Sequence, residues 1–179
     1  MKKLVIPILL VVLFVVESLF VNIISVELFH SENIYVPRFL TIFFVFFAVY
    51  GNYRTAIWYS IGVGLLFDIV YTEILGIYLF AFPVVTYLVS RAMKILQNNI
   101  YMVSVVALIA IAILEFIIYF MNAILGFAPI SIQVFSTIRL FPTLLLNLVA
   151  IVIFAYPFKK AIVNYSTEEG NEVLFKKRF

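Results

Sequence analysis

The sequence predicts an all-α fold, a polytopic membrane protein built as a bundle of six transmembrane helices. Three observations predict it. Of 179 residues, 66% are hydrophobic and only 12% charged, and mean hydropathy is +1.20, whereas a soluble domain runs near half apolar and a quarter charged. A chain of this length cannot hide so much apolar surface in its own core. The apolar residues also fall in runs of helix length, and the basic residues cluster between alternate runs.

A bilayer core about 30 Å thick takes roughly 20 apolar residues per helix. The first span is LVIPILLVVLFVVESLFVNII, 4–24; it follows MKK like a signal peptide, yet no small-x-small cleavage site follows, so it is retained. The second, ending in FLTIFFVFFAVY, covers 36–50 and is short. Its phenylalanines suit a lipid-facing or partner-facing helix. The third covers 55–71, the fourth 74–90, the fifth 100–120 and the sixth 138–156. Residues 1–157 then form one transmembrane domain and 158–179 a short cytoplasmic tail, whose basic ends either touch anionic headgroups or only set topology.

Orientation follows from the excess of Lys and Arg in cytoplasmic loops. With the N-terminus inside, Lys2, Lys3, Arg54, Arg91, Lys94, Lys159, Lys160, Lys176, Lys177 and Arg178 all fall on the cytoplasmic side. Only Arg38 and Arg139 fall outside, with Glu27, His30, Glu32 and Glu73 in the outer loops. An even number of spans returns the C-terminus to the cytoplasm.

Three acids interrupt the spans: Glu17, Asp68 (the only aspartate) and Glu115. Ionisable groups within a membrane are expensive and face the bundle interior with a partner. At about 1.5 Å per residue from the inner edge, all three reach a depth of about 21–24 Å. Arg38 and Arg139 begin the returning helices at a similar level, in VPRFL at 36–40 and TIRLF at 137–141, which are weakly alike. Three carboxylates and two guanidiniums therefore converge on one layer if these helices are neighbours. Ala56, Ser60, Gly64 and Asp68 recur every four residues, and small residues at that spacing let helix backbones approach closely. Ala112, Glu115, Tyr119 and Asn122 form a polar stripe on the fifth span, and Arg139, Thr143, Asn147 and Ala150 another on the sixth. Glu17 has an adjacent polar edge of Ser18, Asn22 and Ser25. Three roles fit this layer: glue for the bundle, a partner-binding surface, or a ligand or ion site. The arginines snorkelling to outer headgroups is a fourth arrangement.

Much chemistry is absent from the sequence. A single aspartate excludes an aspartyl intramembrane protease, and one histidine without His-Glu-x-x-His excludes a zinc protease helix. No glycine-rich loop has the spacing to cradle phosphates, and without cysteine there is no thiolate site or disulfide. Gly62 and Gly64 read as packing positions, Pro83 and Pro142 as kinks. No catalytic residue, cofactor, metal or nucleic-acid partner is expected.

Three stretches carry a family resemblance: VPRFL at 36–40, SIGVGLLFDIVYTEILGIYLFAF at 60–82 and FPTLLLN at 141–147. They resemble MreD, the small integral membrane protein of the bacterial rod-shape system, in a version like those of Gram-positive Firmicutes. The most specific element is Gly64, Asp68, Leu75 and Gly76. The resemblance implies a non-enzymatic role in the machinery that inserts peptidoglycan along the side wall. It implies as partners a bitopic MreC-like protein, the glycan polymerase RodA, a class B penicillin-binding protein and cytoplasmic MreB filaments, within the lipids of the plasma membrane. The six-helix arrangement is also similar to the substrate-binding subunits of energy-coupling-factor transporters. Two functional expectations result: a scaffold whose packed faces bind membrane segments of its partners, and a solute-capture subunit with an outward-open pocket. A lipid-modifying enzyme would need more carboxylates or a metal-ligand cluster.

Overall fold

A computed structural model describes residues 4–20, 33–72, 74–96, 99–126 and 131–176, with side chains described to residue 167. Among the described residues six helices of twelve residues or more carry the fold: α1 (Val5–Leu19), α2 (Phe39–Tyr50), α3 (Tyr53–Tyr71), α4 (Ile77–Ala92), α5 (Ile100–Ile124) and, after the short α6 (Ile132–Phe135) and a π-turn (Ser136–Leu140), α7 (Phe141–Lys176). Among the described residues there is no strand. Among the described residues two stretches are long and apolar enough to cross a membrane, Ile100–Ile124 and the continuous Ile132–Thr167. Glu27, His30, Glu32, Glu73, Lys2, Lys3, Lys177 and Arg178 lie outside the described residues, as do Asn22 and Ser25.

The phenylalanine-rich α2 corrects one expectation. It faces neither lipid nor a partner, because ten of its twelve residues, Phe39 to Ala48, are buried. It is the central post of the bundle, packed by α1, α3, α4, α5 and α7. A helix apolar on every side belongs in a core, and aromatic rings fill it: Phe43 meets Phe47 and Phe158, and Phe44 meets Phe82. At about 1.5 Å per residue α2 is only about 18 Å long. An extended segment, Asn33 to Pro37, leads into it.

Around this post the other helices bury one face and leave the other apolar and open. Trp58 of α3 is 73% exposed and Val152 of α7 75%. Such a coat would aggregate in water and suits lipid. α3 turns Ala56, Ser60, Gly64 and Asp68 inward, as the four-residue period requires. On α5 the buried face is Val103, Ala107, Ile111, Leu114 and Ile118, with Glu115 beside it. Ala112, Tyr119 and Asn122 are only half-buried, so the expected stripe on this helix is one position off the true face. On α7, Thr143, Asn147 and Ala150 are all buried. No end of a helix marks residue 157: α7 runs on to Lys176, and Phe158 and Ile162 belong to the core.

One end of the bundle is basic. The Lys94 ammonium lies 5.8 Å from the ring centre of Tyr53, and that of Lys159 lies 4.9 Å from Tyr50. Arg54 and Arg91 lie over Tyr53 and Tyr87 at the same end. The buried acids sit toward the other.

Candidate functional site: a buried charge cluster and its capped helices

The α3–α4 hairpin shows why Asp68 is placed in an apolar helix. Its carboxylate is fully buried and points at the start of α4. Oδ2 accepts from the backbone N–H groups of Gly76 (2.8 Å) and Leu79 (3.0 Å). Oδ1 accepts from the N–H of Tyr78 (2.9 Å) and from the Thr72 hydroxyl (3.3 Å). The first N–H groups of a helix have no partner within it and carry partial positive charge. Asp68 supplies that partner from the preceding helix. It makes no ion pair among the described residues.

The glycines of the motif allow this. Gly76 has φ +122°, a conformation that L side chains rarely adopt, and it turns the chain so that its own N–H meets Asp68. At Gly64 a Cβ would lie 2.5 Å from the carbonyl oxygen of Tyr78 and 2.9 Å from Cα of Leu79. Only a hydrogen lets α4 come close enough for Asp68 to reach. Leu75, the fourth residue of the motif, is 65% exposed and packs little.

Glu17 does a related job. It is buried at the end of α1 and its Oε2 accepts from the N–H of Leu40 (3.1 Å), at the start of α2. Two of the three acids thus cap helices that belong to other segments of the chain.

Glu115 is different. Arg38 reaches its Oε1 twice, from Nε at 2.7 Å and from a terminal nitrogen at 2.6 Å. Arg139 reaches its Oε2 from Nε at 3.0 Å. The Arg38 side chain is buried, so it does not snorkel; that of Arg139 is 29% exposed. The terminal nitrogens of Arg38 also donate to the Tyr78 hydroxyl at 3.2 and 3.3 Å. Tyr78 therefore links the two halves of the site, giving its backbone N–H to Asp68 and accepting from Arg38 with its hydroxyl.

The positions of the two arginines are set by α7. Pro142 has no N–H to give to the carbonyl four residues back, that of Ile138. That carbonyl instead accepts from the N–H of Ile34 at 2.8 Å, and the chain there makes a π-turn that carries Arg139. Next, Thr143 accepts from the Val36 N–H (3.2 Å) and donates to the Ile34 carbonyl (3.4 Å). Asn147 completes the clasp. Its amide donates to the Val36 carbonyl (2.8 Å) and its oxygen accepts from the Arg38 N–H (2.8 Å). Each N–H and carbonyl of the extended segment that faces α7 meets a partner, as buried backbone must. Tyr78 did not stand out in the sequence as a site residue; Thr143 belongs to the stripe expected on the sixth span, but nothing in that pattern names the segment it holds.

Above the cluster, at the end away from the basic residues, a cavity of about 430 Å³ is lined by Glu17, Arg38, Arg139 and the rings of Tyr35, Tyr71 and Tyr78. A second, of about 300 Å³, lies on the other side of Arg139 and shares Tyr71 and Tyr78. Among the described residues no three acid or histidine side chains could hold a metal ion.

These features define an all-helical protein with membrane-length apolar helices, whose buried charges join one helix to the next. The chain matches the family model described as "rod shape-determining protein MreD" over residues 2–163. It is also 30% identical over 172 residues, 96% of this chain and 100% of the relative, to the rod shape-determining protein MreD of Bacillus subtilis (strain 168). The chain belongs to the MreD family. No solved structure matches it.

Proposed function

We propose that the protein is a non-catalytic membrane scaffold of the rod-shape machinery, helping to maintain cell shape by organising side-wall peptidoglycan synthesis. Its partners in this reading are a bitopic MreC-like protein, RodA, a class B penicillin-binding protein and, through the cytoplasmic face, MreB filaments. The chain crosses the plasma membrane six times with both termini inside. Family membership supports the shape-determining role, and the gathering of Arg54, Arg91, Lys94 and Lys159 at one end of the bundle supports the orientation.

One observation carries the scaffold reading. Among the described residues every buried carboxylate is held by two or more groups of the bundle or by the start of another helix, which favours a rigid body with a fixed outer surface. The rival, a substrate-binding subunit of an energy-coupling-factor transporter, draws no support from the matched family. Gentle detergent purification of the tagged protein from its native host, with mass spectrometry of what accompanies it, tests the proposal. An MreC-like protein with cell-wall synthases is the expected company. Paired ATPases with a coupling membrane subunit would overturn it.

A further inference from the structure

We infer that the 430 Å³ cavity above the charge cluster binds the phosphodiester of a phospholipid headgroup through Arg139. The inference rests on the orientation of the bundle given above and goes beyond the scaffold role.

The donor is in place. Arg139 gives Nε to Glu115, and among the described residues its two terminal nitrogens have no partner. The side chain is partly exposed and forms the wall between the two cavities. A guanidinium fixed at one nitrogen, with its outer edge open, is preorganised for an oxyanion, and Arg binds phosphate with paired hydrogen bonds. The backbone that carries it is a π-turn, a rare geometry that is frequent at functional sites.

The other walls select the ligand. Glu17 faces the same space, and Glu115 already neutralises one of the two guanidiniums. The one guanidinium charge left over matches a single anionic charge, so the site favours a monoanionic phosphodiester over the dianion of free phosphate. The remaining lining is amphipathic: Phe67, Val36 and Ile34 supply apolar surface, Tyr71 and Tyr78 rings with hydroxyls. Tyr71 and Ile34 are themselves exposed, so the cavity opens beside the apolar coat where acyl chains lie. The volume falls in the range of small-molecule sites, roughly 300–1,000 Å³, room for a glycerophosphate group and not for a large sugar.

Delipidated full-length protein in detergent is titrated with short-chain phosphatidylglycerol, with an uncharged glycolipid of the same chains and with inorganic phosphate, and bound species are counted by native mass spectrometry. One phosphatidylglycerol is expected per chain, bound at least roughly tenfold more tightly than the glycolipid, with Arg139→Gln weakening it roughly ten- to a hundredfold as a charged hydrogen-bond pair is lost. Arg139→Lys should restore part of that loss. Arg54→Gln, at the opposite end, should change nothing. Equal binding of both lipids by the wild type, which needs no variant to fold, would overturn the inference. So would unchanged binding in a folded Arg139→Gln protein. Displacement of the lipid by inorganic phosphate at equal concentration would reassign the site to a free oxyanion and overturn the lipid assignment. No outcome depends on recovery of rod-shape partners, so the scaffold reading stands or falls separately.

Discussion

Arg38 and Glu115 are buried together, 77 residues apart in the chain, with the guanidinium making two contacts to a single carboxylate oxygen at 2.6 and 2.7 Å. The other oxygen is left for Arg139. Removing one partner of a buried pair strands the remaining charge and costs about 3–5 kcal/mol. Glu115→Gln should therefore lower the thermal midpoint of the purified protein strongly, since it strands two guanidiniums. Arg38→Ala should cost more than Arg139→Ala, because Arg139 is partly exposed. Equal effects of the two arginine variants would show that the pairing is not as unequal as the geometry.

Gly64→Ala should destabilise by about 1–3 kcal/mol or more, because the added methyl meets the backbone of α4 and not a side chain that can move. Gly62 is the matched control two residues away. A Cβ there meets nothing within 4 Å, so Gly62→Ala should be neutral or stabilising by about 0.5–1 kcal/mol through helix propensity. A thermal unfolding comparison of the two decides.

Asp68 should show a graded series. Asp68→Leu leaves the N–H groups of Gly76, Tyr78 and Leu79 without their acceptor, at about 1–3 kcal/mol per unsatisfied group. Asp68→Asn keeps one accepting oxygen and should fall between Leu and the wild type. Under the proposed function the Leu variant also weakens recovery of the partner complex and yields rounded cells. Normal rods with normal complex recovery for Asp68→Leu and Arg139→Ala alike would remove the charge cluster from the mechanism.

Asn147→Leu should act locally. It deletes the bonds to the Val36 carbonyl and the Arg38 N–H, so hydrogen exchange at Arg38 should accelerate while the amides in the middle of α5 stay protected. The neighbouring Thr143→Val should speed exchange at Val36, whose N–H it holds. Uniform acceleration throughout the molecule would mean that the clasp stabilises the whole fold and not this segment.

Much of this was legible in the sequence. The helices α3 and α5 lie within a few residues of the runs that predicted them, and Ala56, Ser60 and Gly64 declare a packed face by their period. That the acids within the spans need partners was readable as well. Arg38 of VPRFL and Arg139 of TIRLF both end on Glu115. The core position of α2 was not legible, because an all-round apolar helix reads the same whether lipid or protein surrounds it. Tyr78 was hidden because a tyrosine within a predicted span gives no sign of a partner distant in the sequence.

By itself the sequence determined the class of fold, the helices and the presence of acids that need partners, since these follow from hydropathy, period and the cost of burying charge. Only the tertiary structure decided which partner each acid takes. Depth places a carboxylate along one axis, but the packing of helices distant in sequence sets the other two. That packing gave Asp68 and Glu17 to helix N-termini and Glu115 to the arginines.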